Sequence, residues 1–73
     1  MPIVFSDHAS YQIRKRRISK KLVRKAVQSP EEILPSFRER KLRRMRIGGK
    51  ILEVVTKTEG SKITVVTAYY LEE

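Results

Sequence analysis

The chain reads as an α+β domain of two layers, with two N-terminal helices packed on an antiparallel sheet in the order βααβββ. Three observations predict it. Helical spacing of apolar residues is confined to residues 7–28, strand-like alternation fills the second half, and a Gly48-Gly49 pair links two of the strands. Seventy-three residues allow a single domain, 1–73, with one thin core.

The elements follow in order. Ile3-Val4-Phe5 is a short strand. Ser6 is a good N-cap and Asp7 suits a helix N-terminus, so residues 7–16 form a first helix with Ala9 and Ile13 on its inner side. Ser19 caps a second helix over residues 20–28, where Leu22, Val23, Ala26 and Val27 make one stripe and Lys20, Lys21, Arg24 and Lys25 the other side. Pro30 stops it, and Glu31 to Phe37, interrupted by Pro35, allow at most an irregular edge strand. Ile47-Gly48-Gly49-Lys50 and Thr58-Glu59-Gly60-Ser61 are two hairpin turns. Taken at face value they set Arg46 opposite Ile51, Met45 opposite Leu52 and Arg44 opposite Glu53. Glu53 then faces Val66, and Leu52 faces Thr67. One sheet face then carries Met45, Ile47, Leu52, Val54, Ile63, Val65 and Tyr69 and lies under the helices, with Thr67 also on that side. The other carries Arg44, Arg46, Glu53, Lys57, Lys62, Thr64 and Tyr70 and stays open.

Charge narrows the function. There are 17 Lys and Arg against 8 Asp and Glu, a net +9, and residues 14–25 and 38–46 hold 14 of those cations. Nine are Arg, whose planar fork grips phosphate, so nucleic acid is the expected partner class. The absence of cysteine excludes disulfides, Cys-based zinc sites, iron–sulfur clusters and thiol catalysis. No apolar run approaches the roughly 20 residues that span a bilayer, and the N-terminus lacks signal-peptide features. The expectation is a cytoplasmic protein without a membrane partner. The adjacent pairs Glu31-Glu32 and Glu72-Glu73 read as solvated, no acidic cluster suggests a metal, and no cofactor is expected.

Cleavage of RNA without a metal needs a proton acceptor, a proton donor and cations that stabilise a charged phosphorane. His8 is the one side chain with a suitable ordinary pKa, and it shares a helical face with Gln12 and Arg16. It serves either as the proton acceptor or the proton donor, since one histidine cannot by itself be both, or as a helix-start residue bonded to a backbone carbonyl. Arg44 and Arg46 repeat at strand spacing beside Tyr70, a platform for phosphate contact and base stacking that Arg40, Lys41 and Arg43 extend. The plainer alternative is that Arg44 pairs with Glu53 and Arg46 keeps a strand soluble.

The segments Phe5-Ser6-Asp7-His8-Ala9, Arg16-Arg17-Ile18-Ser19, Val23 and Ala26 to Ser29-Pro30-Glu31, and Val65-Val66-Thr67-Ala68-Tyr69 resemble a small uncharacterised family. That family opens with His-Ala, continues to Arg-Gly-Ile-Ser, and is grouped with the RelE/ParE-type toxins. The chain departs from it at Gln12, where Arg is frequent, and at Arg17, where Gly is usual. The resemblance implies a RelE-like βααβββ fold, and it favours Arg and Lys of the sheet face over His8. By analogy it implies a toxin-like RNA-binding protein, a metal-independent mRNA endoribonuclease of a toxin–antitoxin system. The catalytic candidates are His8, Arg16 and Arg46, and the RNA-binding candidates are Arg40, Lys41, Arg43, Arg44, Arg46 and Tyr70. RNA, as mRNA on the ribosome, and an acidic antitoxin are the implied partners. The alternatives are a non-catalytic nucleic-acid-binding module and a ParE-type toxin acting on a protein target.

Overall fold

Side-chain caps organise the first half of the chain. Ser6 holds an extended conformation while its hydroxyl accepts a hydrogen bond from the Ala9 amide at 3.0 Å, which separates strand β1 (Ile3–Phe5) from helix α1 (Asp7–Lys15). The computed structural model describes residues 2–72. At the other end of α1 the Arg17 amide donates to the Arg14 carbonyl and the Ile18 amide to the Ile13 carbonyl, at 3.1 and 2.9 Å. These two bonds form a Schellman motif, closed by the buried pair Ile13 and Ile18. Its left-handed residue is Arg17, with φ of 57°, the position where glycine is normally favoured. Ser19 then caps helix α2 (Lys20–Gln28) by accepting from the Lys21 and Leu22 amides.

Four further strands follow: β2 (Glu32–Pro35), β3 (Arg40–Ile47), β4 (Lys50–Glu59) and β5 (Lys62–Glu72). They form one five-stranded sheet in the order β1-β5-β4-β3-β2. The architecture is α+β as expected, but the sheet is mixed and contains a strand more than the βααβββ order provides. β1 runs parallel to β5, pairing Ile3 with Ile63 and Phe5 with Val65. Between these two parallel neighbours the chain passes through both helices and then β2, β3 and β4. The irregular segment before Pro35 is a true edge strand, antiparallel to β3.

The β3–β4 register is the predicted one, with Arg46 opposite Ile51 and Arg44 opposite Glu53 across a Gly48-Gly49 turn. The β4–β5 register differs and needs correction. The loop residues are Gly60-Ser61, since Glu59 pairs with Lys62, and this two-residue displacement leaves the faces unchanged. A β-bulge at Val66, between the pairs Thr56–Val65 and Val55–Thr67, then adds one residue and exchanges them. Glu53 therefore meets Tyr69 and Leu52 meets Tyr70. Thr67 and Tyr69, predicted under the helices, lie on the open side. Tyr70, predicted on the open side, packs against the core.

Helices α1 and α2 contribute Ala9, Ile13, Val23, Ala26 and Val27 to that core and their connection adds Ile18, facing Met45, Leu52, Val54, Ile63, Val65 and Ala68 of the sheet. The opposite sheet face carries no helix. Both sheet edges end in charged caps where the short outer strands run out. Arg16 Nη1 donates to the Ala68 carbonyl at 3.0 Å beyond β1, and Glu31 Oε1 accepts from the Arg46 amide at 2.8 Å beyond β2.

Candidate nucleic-acid interface

Alternation along β3 decides which cations face outward. Met45 is buried under the helices, so Arg40, Leu42, Arg44 and Arg46 take the open side and Lys41 and Arg43 the helix side. In the middle of the open side lies Glu53, only 4% exposed although no helix covers it. Its own neighbours bury it. Arg44 Nε donates to Glu53 Oε1 at 2.6 Å, the Tyr69 hydroxyl donates to Glu53 Oε2, and Arg44 Nη1 reaches Glu32 Oε1 at 3.4 Å. A buried carboxylate needs such charge-assisted partners to offset its lost hydration. The hydrogen bond to Glu53 holds the Arg44 guanidinium above its ordinary pKa, with the nearby carboxylate charges adding to it. Burial first, and then the bond to Glu53, push the Tyr69 phenol up to about 12. The cluster is a fixed unit of carboxylate, guanidinium and phenol on an uncovered surface.

The other predicted residues fall in different places. Arg43 points beneath the helices, where Nε donates to Thr56 Oγ1 at 3.1 Å and Nη1 to the Val27 carbonyl at 3.0 Å. It caps the C-terminus of α2 and so stabilises the fold, a correction to its place among the RNA contacts. Lys41 is exposed on that same side, opposite Thr56. Arg40 does occupy the open face, across from Lys57, and its buried Nε has no hydrogen-bond partner among the described residues. Tyr70 carries the Lys50 ammonium 5.5 Å over its ring rather than a place on the platform. His8 is exposed on α1, and Arg16 is tied to Thr67 and Ala68 at the sheet edge. Arg46 lies across the sheet from both, so the three catalytic candidates do not converge on one site.

Glu53 and Tyr69 replace them at the centre, and Glu31 and Glu32, expected to be solvated, hold the Arg46 amide and the Arg44 guanidinium. Glu53 carried a signal, since it is one acid in the apolar strand run Ile51-Leu52-Glu53-Val54-Val55. Tyr69 carried none, because its face depends on the Val66 bulge. Among the described residues no group of three or more His, Cys, Asp or Glu is placed to hold a metal ion. No helix is long and apolar enough to cross a membrane.

The fold and this cluster define a small two-layer α+β protein with a polar, partly basic sheet face left open by its helices. Residues 5–70 match the family described as a domain of unknown function (DUF4258), and the chain belongs to that family. No curated protein and no solved structure matches it.

Proposed function

We propose that the chain is a toxin-like RNA-binding protein that takes a single RNA strand across its open sheet face and cleaves it without a metal. The observation that carries this reading is Glu53, buried at the centre of that face between Arg44 and Tyr69. Attack of a ribose 2′-hydroxyl on the neighbouring phosphorus needs a place for its proton. The Tyr69 oxygen accepts that proton as its own passes to Glu53 Oε2. The 2′-oxygen–phosphorus bond forms, the bond to the 5′-oxygen breaks, and the departing oxygen takes a proton from water, leaving a 2′,3′-cyclic phosphate. Arg44 orients Glu53, and Arg46, two residues further along the same face, supplies positive charge to the phosphorane. His8 has no part in this arrangement. The resemblance to RelE/ParE-type toxins supports mRNA as the substrate and an acidic antitoxin as the partner.

A labelled single-stranded RNA tests the reading, alone with EDTA present and in a translating extract without it. The wild type is expected to cleave it, and Glu53→Gln and Tyr69→Phe to lose at least about a hundredfold in rate, the scale of general acid–base assistance. Binding without cleavage reduces the protein to a non-catalytic RNA-binding module. Neither binding nor cleavage moves the target to a protein.

A further inference from the structure

The net charge is divided unequally between the two layers. Residues 7–28, which form α1, α2 and their connection, hold eight Lys and Arg and one acid, a net +7. The remaining sequence holds nine Lys and Arg against seven acids, a net +2. On the open sheet face Glu32 and Glu53 engage Arg44, whereas the helix layer has no ion pair among the described residues. Its cations fall into two groups. Arg16 caps the β5 edge, Lys15 lies over Tyr11, and Lys20 and Arg24 lie over the Phe5 ring at 5.1 and 5.2 Å. Arg14, Arg17, Lys21 and Lys25 are exposed and carry no such commitment.

We infer that the outer surface of α1 and α2 is a second docking surface, fitted to the phosphate backbone of double-helical RNA. A duplex concentrates phosphate charge along its axis and is recognised through backbone and shape more than through bases. The helix layer matches that demand, since it offers exposed cations on both helices and only one exposed aromatic ring, Tyr11, which Lys15 already covers. A lipid surface fits it poorly. Interfacial helices insert an apolar face, and the apolar faces of α1 and α2 are spent on Ala9, Ile13, Val23, Ala26 and Val27 in the core. The inference goes beyond the reading of the open face and stands on different residues. The helix layer holds structured RNA, and the sheet face on the other side of the molecule acts on a single strand.

The test uses the whole protein and a 20-base-pair RNA duplex, titrated by fluorescence anisotropy at several salt concentrations. Lys21→Glu/Lys25→Glu, and separately Arg14→Gln/Arg17→Gln, should each weaken duplex binding about tenfold or more. Each should also flatten the dependence of log K on log salt by about one unit per contact removed. Lys57→Glu/Lys62→Glu makes the same charge change as the first variant on the sheet side and should leave duplex affinity within about threefold; circular dichroism confirms the fold of all three. Cleavage of a short single strand should survive both helix variants, so loss of duplex binding and loss of the open-face activity are read separately. The inference is overturned if the helix variants bind the duplex like wild type, if the sheet variant weakens binding as much as they do, or if the wild type sediments with phosphatidylserine vesicles but does not bind the duplex.

Discussion

Glu53 shows how far single residues were legible. Its pairing with Arg44 followed from the Gly48-Gly49 turn, because a two-residue loop fixes the register of both strands. Its burial did not follow, since that depends on Tyr69. Removing the carboxylate leaves a half-buried guanidinium and a phenol without their shared acceptor. Glu53→Ala should therefore cost about 2 kcal/mol, and a domain of this size should lose about 10 °C in Tm. Thermal melts of the variant measure it, and an unchanged Tm would mean the cluster contributes nothing to stability. Tyr69 sets an alkaline limit. In the folded protein it keeps its proton up to about 12, against 10.0 ordinarily, so the unfolded chain releases that proton first. The stabilisation from this group is complete below pH 10 and lost as pH rises through 12. Tm against pH should thus fall more steeply over that interval in wild type than in Tyr69→Phe. Parallel curves would show that Tyr69 titrates alike in both states.

Among the elements, α1 and α2 were readable almost residue by residue, because Ser6, Ser19 and Pro30 mark their limits and apolar spacing marks their inner faces. The β2–β3 hairpin was not. Its turn holds Arg38 and Glu39 at φ of 59° and 61°, with the Arg40 amide bonded to the Phe37 carbonyl, in a conformation usually signalled by Asn-Gly. The sequence contains no such signal there, and the tip exposes Phe37 at 76%. Two left-handed residues other than glycine are a cost the strand pairing must offset. Arg38→Asn/Glu39→Gly should accordingly gain about 1 kcal/mol, seen as a higher denaturation midpoint at unchanged m-value. The Val66 bulge was equally invisible, because nothing local in Val65-Val66-Thr67 separates a bulged residue from a paired one. The edge caps concern the sheet as an element too. Arg16→Ala/Glu31→Ala opens the Ala68 carbonyl and the Arg46 amide, and sedimentation should show concentration-dependent association that the wild type lacks.

At the scale of the whole molecule, +9 is held on a body of 34 × 24 × 21 Å. Self-repulsion at that density lowers stability, and any polyanion that binds the folded form offsets it. Inorganic polyphosphate should therefore raise Tm at low salt and lose its effect by about 0.5 M sodium chloride, where screening acts within a few ångströms. The overall charge and the +7 share of residues 7–28 were readable from the sequence. The engagement of Arg44 by Glu32 was not, because it depends on the pairing of β2 with β3.

The parallel pairing of β1 with β5 has a consequence for synthesis. Ile3–Phe5 is made before the other four strands described, and the residues that complete its hydrogen bonds, Ile63–Val65, are made after β2, β3 and β4. The helices and the β3–β4 hairpin can form on the nascent chain, but the sheet cannot close around Phe5 and Val65 until β5 has been made. A product stopped at Gly60 would contain both helix segments and lack Val65, Ala68 and Tyr69, so neither the complete core nor the Glu53 cluster would exist before β5 has been made.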